Sequence, residues 1–546
     1  MKKKITSFIA ILLYYTCTGS LFAQDGHLDK SFGGGDGKVT TGFGQNDYAN
    51  AIAIQPDGKL IAAGYSANLY VDFAVARYNI NGTPDKSFGG GDGKVLTDFG
   101  DLDYANAVAI QKDGKIVVAG NSWNTGNDRV EIARYNTDGT LDKSFGGGDG
   151  KVISNFGGLG DYATCVAILP NGKIAVGGYT NKYGNNDFLL AEYNSNGTLN
   201  QHFGNNGYTI LAYNPTDEAC SSMAVQPNGK IVLAGGSSGD FALARFNSNG
   251  TLDLSFGLLV KTSFGAKKTA GATSIAIQSN GKIVLGGQVS DLSFTNTDVA
   301  IARYNTNGTL DNSFSVDGLL NRDFGAKELI FSIAVQSNGK IIVAGSSQNG
   351  LKLDFLVARF GPNGYLDNSF NGNGRRLTSF NGNDYNYAAG MIIQPNGKIV
   401  LAGRTNNGNN TDFNFDFALA RYNGDDVSFS ARPDVFENNS ADALLNSSTI
   451  IQQNIILLTN AASLSQNIPN PFTNTTTIGY TLPQKFSSAK IIITDKNGRQ
   501  LKQISLSAAG KGRVDVDAST QASGAYNYSL YVDGRFVASK QMELLK

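Results

Sequence analysis

Histidine is almost missing from this chain: its 546 residues include only His27 and His202. A catalytic triad, a zinc centre or a proton relay built on imidazole therefore has almost nothing to work with. Both histidines replace the Thr or Ser of a recurring loop, which gives them structural roles. Cysteine is nearly as scarce, with three residues; Cys17 lies in the N-terminal apolar stretch, which leaves Cys165 and Cys220. So few thiols exclude a disulfide scaffold. Neither sign of charge is in excess, since Lys+Arg and Asp+Glu are 45 each and only 16% of residues are charged. No basic field is available to attract nucleic acid or anionic lipid. Beyond the N-terminus no apolar run approaches the ~20 residues of a membrane span.

Glycine and aromatics are what the chain has in quantity: 67 Gly, 31 Phe and 23 Tyr, a composition suited to a turn-rich all-β protein. A tract ending in Asn-Gly-Lys or Asp-Gly-Lys recurs seven times, with its glycine at Gly58, Gly114, Gly172, Gly229, Gly281, Gly339 and Gly397, a period of 52 to 58 residues. A tandem unit of that length is the first thing to explain. In the first full unit Tyr48 to Gln55 alternates, Asp57-Gly58 turns, Lys59 to Gly64 returns, and Phe73 to Asn79 follows. Asx-Gly between two such runs predicts a hairpin with a type I′ turn, both central residues having positive φ. A fourth strand, such as Lys94 to Phe99, comes after a longer loop containing Leu-Asp-x-Ser-Phe. Four short strands repeated seven times predict a seven-bladed β-propeller. The N-terminus supplies an unpartnered fourth strand, Gly37 to Phe43, and the last unit stops after its third, Phe417 to Asn423. These ends predict a one-plus-three strand closure that leaves no open edge.

On this phase the tract before each turn is the innermost strand, and parity sorts its side chains. One face is small (Ala49, Ala51 and Ala53, for example), and the other carries Ile52 and Ile54. A small face of one blade is expected to accept the large face of the next. Cys165 and Cys220 stand seven and nine positions before their glycines, on the same small face of adjacent blades. They are expected as free, buried thiols that do not face each other.

The Asn-Gly-Thr-Leu-Asp-x-Ser-Phe-Gly, Gln-Pro-Asn-Gly-Lys and Ala-Arg-Tyr-Asn tracts together resemble the delta-60 repeat family of bacterial propellers, over roughly residues 26 to 423. The resemblance implies a propeller in an exported protein and no particular activity. Export is also the expectation from residues 1–23, a signal peptide with Lys2, Lys3 and Lys4, an apolar run through Leu13 and a small-residue end at Ala23. The propeller is expected over 24–423 and a linker, rich in Asn, Ser and Asp, over 424–463. Residues 464–546 alternate in strand fashion with Asn-Gly and Asp-Gly turns, as a small Ig-like β-sandwich would. This segment, opening with Ile468-Pro469-Asn470-Pro471-Phe472, resembles the type A C-terminal sorting domain of the type IX secretion system. That resemblance implies the type IX machinery as a partner, passage across the outer membrane, and release from or attachment to the cell surface; Pro469, Asn470, Pro471 and Phe472 are its motif.

Three features are candidate sites. The Gly33-Gly34-Gly35-Asp36-Gly37-Lys38 loop leads into a strand and lacks phosphate-loop spacing, so it reads as a turn. Eleven positions before each turn glycine stand Asp47, Asp103, Asp161, Glu218, Ala270, Glu328 and Asn386. The five acids Asp47, Asp103, Asp161, Glu218 and Glu328 would circle one mouth of the central channel. Ca²⁺ is the only cofactor this pattern suggests, and the alternative is a solvated acidic rim whose carboxylates cap strand ends. Loops between second and third strands vary in length on the same face and carry Tyr70, Trp123, Tyr183, Phe294, Phe413 and Phe415, aromatics suited to sugar rings or peptides. The Arg of Ala-Arg-Tyr-Asn, replaced by Glu192 in the third unit, reads as architectural, paired with the Asp of Leu-Asp-x-Ser-Phe. The expectation is a non-enzymatic, exported propeller that binds a glycan or surface protein through its variable loop face. The rivals are a polysaccharide-degrading enzyme using Asp101, Asp103 and Asp161, and a structural surface-layer component.

Overall fold

The computed structural model describes residues 25–425 and 463–545, apart from residues 45, 68–69, 124–126, 214–215, 295, 351, 381–384, 407–413, 484–485, 487, 496–498 and 534. The expected signal peptide and nearly all of the expected linker lie outside these residues, as does Phe413. The described residues contain strands, numbered β1 to β35 along the chain, and no helix.

Each repeat folds into one four-stranded antiparallel sheet. The first consists of β2 (Asn46–Ile54), β3 (Leu60–Ala67), β4 (Val71–Tyr78) and β5 (Lys94–Thr97), in that order. Its first hairpin has a three-residue loop: Gln55 N donates to Lys59 O at 2.8 Å and Gly58 N to Gln55 O at 2.9 Å. Gly58 alone takes positive φ, at 85°. The turn is thus a type I turn followed by a left-handed glycine, not the type I′ turn expected. The physical reason is loop length: with three residues between Gln55 and Lys59 only the last must be left-handed, and the same bonds form where Lys112 or Ser279 replaces Pro56.

The inner strands β2, β6 (Leu102–Ile110), β10 (Asp161–Ile168), β14 (Glu218–Val225), β18 (Lys268–Ile277), β22 (Glu328–Val335) and β26 (Asn386–Ile393) pack against one another in sequence, and β2 packs on β26. Seven sheets thereby form a ring. In the last sheet β1 (Lys38–Thr41) pairs with β28 (Phe415–Tyr422), Lys38 opposite Ala420, beside β27 (Ile399–Asn406) and β26. One strand from the chain's start and three from its end make that sheet.

Every inner strand carries a bulge at the same place, with one extra residue such as Asn50 or Thr164. The extra side chains lock neighbouring blades together: Asn50 Nδ2 donates to Ala105 O at 2.9 Å, and Thr164 Oγ1 to Cys220 O at 2.9 Å. A bulge also reverses side-chain parity. Ala49 consequently packs with Ile52 toward the last sheet, while Ala53 faces the second, so the uniform small face read from the sequence does not exist. Cys220 precedes its bulge and Cys165 follows its own. The reversal turns the two toward each other within one cluster between the third and fourth sheets. Both are free and buried, as expected, yet face to face. Space for the sulfurs comes from Gly177, where an added Cβ would stand 2.8 Å from Cys165 Sγ and 3.9 Å from Cys220 Sγ.

A repeated ionic staple sits at the outer end of each sheet. Arg77, Arg134, Arg245, Arg303, Arg359 and Arg421 pair with Asp85, Asp142, Asp253, Asp311, Asp367 and Asp29 at 2.6 to 2.8 Å. Each guanidinium stacks on the Phe of Ser-Phe, 4.3 to 4.8 Å from its centroid. The Lys of each Asn/Asp-Gly-Lys turn joins the same carboxylate at 2.5 to 3.0 Å. The third sheet inverts the arrangement: Glu192 takes the place of Arg, Asn200 that of Asp, and Glu192 accepts from Lys173 at 2.9 Å and Asn200 Nδ2 at 2.6 Å.

The C-terminal unit is a two-sheet sandwich. β29 (Ser463–Leu464), β30 (Thr475–Leu482) and β33 (Gly510–Asp517) form one sheet. β31 (Ala489–Thr494), β32 (Gln500–Leu506), β34 (Gly524–Val532) and β35 (Arg535–Leu544) form the other, around a core that includes Ile478, Ile491, Tyr528 and Leu544. Ile468 is exposed, while Phe472 is buried. Phe472 N donates to Glu543 O at 2.9 Å, Leu545 N to Phe472 O at 2.8 Å, and Glu543 N to Asn470 Oδ1 at 2.7 Å. Pro469 O accepts from Thr476 Oγ1 at 2.7 Å. The Pro-Asn-Pro-Phe motif thus holds the first turn of the unit to its last strand.

Candidate ligand-binding face

The acids eleven positions before the turns are pinned inside their blades. Asp47, Asp103, Asp161, Glu218 and Glu328 are all fully buried. Asp47, Asp103 and Asp161 each accept a backbone N–H from the preceding Phe, at 2.5, 2.5 and 2.6 Å from Phe43, Phe99 and Phe156. Across the hairpin stands a hydroxyl: Asp47 pairs with Ser66, Asp103 with Ser122, Asp161 with Thr180, Glu218 with Ser237 and Glu328 with Ser347. In the fifth sheet acid and hydroxyl are replaced together, by Ala270 and Val289. These carboxylates cap the loop that enters each inner strand, and they do not form a solvated rim, because burial removes them from water. Nor does the fold gather the five into one ligand set: among the described residues no three of them bring oxygens within 4.8 Å of one another.

The loop aromatics divide. Tyr70, Trp123, Tyr183 and Phe294 are exposed, by 57 to 69%. Phe415 is not a loop residue but the first of β28; it is 8% exposed because its ring packs on Tyr48 at 5.5 Å. Phe413 lies outside the described residues. Asp101 is exposed, and Asp161, in the neighbouring sheet, accepts from Phe156 N at 2.6 Å and from Thr180 Oγ1 at 2.5 Å. His27 and His202 sit in the outer loops, apart from this face. The Gly33 to Lys38 loop is a turn, in which Asp36 Oδ1 accepts from Lys38 N at 2.9 Å.

One position after each of these acids and their counterparts Ala270 and Asn386, sequence reasoning passed over the feature that distinguishes this face. Tyr48, Tyr104, Tyr162 and Tyr387 stand there in four adjacent sheets, and Ala219, Gly271 and Leu329 in the other three. Their cross-strand partners are Tyr65, Asn121, Tyr179 and Arg404 on the aromatic side and Gly236, Gln288 and Ser346 on the other. The rings are contiguous across blades: Tyr48 stacks on Tyr65 at 4.6 Å, Tyr65 meets Tyr104 edge-on at 4.8 Å, and Tyr104 lies 6.3 Å from Trp123. Arg404 closes the row, 4.6 Å from the Tyr48 centroid and 4.3 Å from that of Tyr387. Tyr48, Tyr65, Tyr104, Tyr387 and Arg404 are half-buried, and Trp123 is exposed. Burial pushes the Tyr65 hydroxyl up to about 12 and raises those of Tyr48 and Tyr104, so the row stays neutral apart from Arg404. Two buried polar atoms at this level lack a hydrogen-bond partner among the described residues, Arg404 Nε and Gln288 Oε1. The mouth of the ring is thus part aromatic shelf with one guanidinium and part recess without rings at the matching positions. The count back from the turn glycines could have found it, one residue further along.

Comparison with known families accounts for both units. The model described as "Domain of unknown function (DUF5122) beta-propeller" matches residues 55–88, 111–145, 169–203, 226–256, 278–314, 336–370 and 394–427, one match per sheet. The model described as "Secretion system C-terminal sorting domain" matches 468–542. No curated protein matches the chain. Among solved structures, the chain is similar to the polysaccharide lyase Uly1, with TM-score 0.40 and 12% identity over 70% of this chain and 91% of that one. It is also similar to a protein of unknown function from Dyadobacter fermentans DSM 18053, with TM-score 0.38 and 12% identity over 59% and 95%. A third is Sqt1 of Chaetomium thermophilum, with TM-score 0.35 and 14% identity over 69% and 96%. The sorting domain marks the chain for the type IX machinery, which carries it across the outer membrane to the cell surface or the medium. With seven matched repeats in seven sheets and a matched tail, the chain belongs to the DUF5122 β-propeller proteins exported by type IX secretion.

Proposed function

We propose that this exported propeller is a non-enzymatic binding protein whose ligand is a saccharide, held on the aromatic shelf at the mouth of the ring. The observation that carries this reading is the unbroken row from Arg404 and Tyr387 through Tyr48, Tyr65 and Tyr104 to Trp123. The apolar C–H faces of a pyranose stack on such rings, and its hydroxyls need donors and acceptors at the edges. Arg404 Nε in the seventh sheet and Gln288 Oε1 in the fifth are buried polar atoms with unmet capacity. A glycan chain laid from shelf to recess would satisfy both.

Trp123 is the only tryptophan in the protein, so its fluorescence reports on the shelf alone. Titration of the mature protein with a panel of soluble polysaccharides is expected to shift Trp123 emission for at least one of them. Affinity electrophoresis in that glycan is expected to show retardation that Tyr104→Ala and Arg404→Met each weaken about tenfold. Unchanged retardation in both variants would overturn the proposal. Release of shortened chains by the wild type would replace it with the enzymatic reading.

A further inference from the structure

At the junction of the first and second sheets three carboxylates converge. Asp72 of β4, Asp98 just after β5 and Asp103 of β6 each offer an oxygen, all within 4.8 Å of one another. Asp103 Oδ2 accepts from Phe99 N at 2.5 Å, but Oδ1 has no hydrogen-bond partner among the described residues. Asp103 is fully buried, and so is Glu131 of β8 (Val130–Tyr135), 1% exposed, whose Oε2 is likewise without a partner. The two carboxyl groups lie within hydrogen-bonding range of each other. In the third and fourth sheets the matching oxygen is taken by a hydroxyl of the same hairpin: Thr180 Oγ1 donates to Asp161 at 2.5 Å and Ser237 Oγ to Glu218 at 2.8 Å. Ser122, which stands opposite Asp103, instead accepts from Arg129 N at 3.1 Å.

Carboxylate oxygens that face each other away from water need positive charge between them. The nearby Lys151 does not supply it directly, since its Nζ donates to Asp98 O at 3.0 Å and lies 5.3 Å from the Phe99 centroid. We infer that Asp72, Asp98 and Asp103, backed by Glu131, bind a divalent hard cation, Ca²⁺, at this one junction. All the donors are oxygens, there is no nitrogen or sulfur ligand, and exposed Asp98 gives the ion a way in from solvent, a donor set that suits Ca²⁺. Without the ion, protons stand in for it: burial and the neighbouring Asp103 and Asp101 push Glu131 up to about 9, and burial with Asp98 and Asp72 pushes Asp103 up to about 6.

The fold supplies its own control. Asp298, Asp323 and Glu328 converge in the same way between the fifth and sixth sheets. There, however, Ser347 Oγ and Phe324 N, each at 3.3 Å, occupy the two Glu328 oxygens, and Asn296 Nδ2 holds Asp298 Oδ1 at 2.8 Å. The test is calorimetric titration of the mature protein with CaCl₂ at pH 8 after EDTA dialysis, alongside thermal melts. The expected result is about one Ca²⁺ bound per chain with a raised Tm, affinity about tenfold lower in Asp98→Asn and in Asp72→Asn, and no change in Asp323→Asn. Asp98 is exposed, so its replacement leaves the fold intact, and circular dichroism checks this. Absence of Ca²⁺ binding in the wild type, binding that survives the Asp72→Asn/Asp98→Asn double variant, or loss confined to Asp323→Asn would overturn the assignment.

Discussion

The inverted staple of the third sheet invites a charge-swap experiment. Glu192 is 2% exposed and holds Lys173 at 2.9 Å and Asn200 at 2.6 Å. Glu192→Arg alone would bury a guanidinium beside Lys173 with no carboxylate to meet it, and removal of one partner from a buried ion pair costs about 3–5 kcal/mol. Asn200→Asp alone would press a second carboxylate against Glu192 with only Lys173 between them, a like-charge contact of similar order. Combined, the two substitutions recreate the Arg, Asp and Lys arrangement of the other six sheets, with Phe203 already in place for the guanidinium to stack on. The double variant is therefore expected within about 1 kcal/mol of wild type, and the coupling energy from the cycle should exceed the usual ~0.5–3 kcal/mol. Unfolding entropy of about 2.1 cal/mol/K per residue, over a propeller of about 400 residues, makes 4 kcal/mol worth about 5 °C in Tm. Differential scanning calorimetry of the four proteins resolves that. If the double variant melts as low as the sum of the singles requires, the staple is not an interchangeable unit and the reasoning fails.

Other perturbations follow from the same contacts. Against a burial that works the other way, Lys398, Ser31 and Arg421 hold Asp29 down at about 2, and Ser369, Lys340 and Arg359 hold Asp367 there. Their contribution to stability is present above the ordinary carboxylate range near ~4 and lost as pH falls through about 2, so urea midpoints should drop between pH 4 and 2. Glu131 and Glu328 run opposite: raised by burial to about 9 and about 7, they stabilise fully below ~4.3 and cease to as pH rises through those values. Without Ca²⁺ the midpoint should fall from pH 5 to pH 9, and Glu131→Gln should flatten that fall; an unchanged slope would contradict the placement of Glu131. Gly177→Ala should cost about 1–3 kcal/mol by forcing Cys165 Sγ from its site, measurable by denaturant titration, and a cost near zero would show that the thiols have slack. Deleting residues 543–546 removes the partners of Phe472 and Asn470 and should lower the melting temperature of the sorting domain, with uncovered Phe472 reported by dye binding.

How far the sequence could be read depended on the range of each interaction. Turn glycines, strand alternation and the Arg and Asp of the staple are local or strictly periodic, so counting from Gly58 and its counterparts located them. The bulge at Asn50 and Thr164 is an insertion of one residue with no signature of its own, and it reversed every parity argument beyond it, including the one that set Cys165 and Cys220 apart. The acids were located correctly but assigned the wrong surroundings, because their partners, the hydroxyls of Ser66 and Thr180, come from the returning strand. The Tyr48 row escaped notice for a different reason: it is defined by adjacency around the ring, between residues of different repeats, and by the absence of rings at the same positions of the other three sheets.

The last sheet has a consequence in time. Asp29 and Arg421, which share its staple, are 392 residues apart in the chain, and joining ends that distant costs about 5 kcal/mol of loop-closure entropy. That cost falls on a single event, the docking of four-residue β1 beside β28. Until the final repeat has emerged, the earliest strand has no partner and every preceding sheet belongs to an open arc with two raw ends. A chain lacking its last repeat would be an unclosed arc, not a smaller ring.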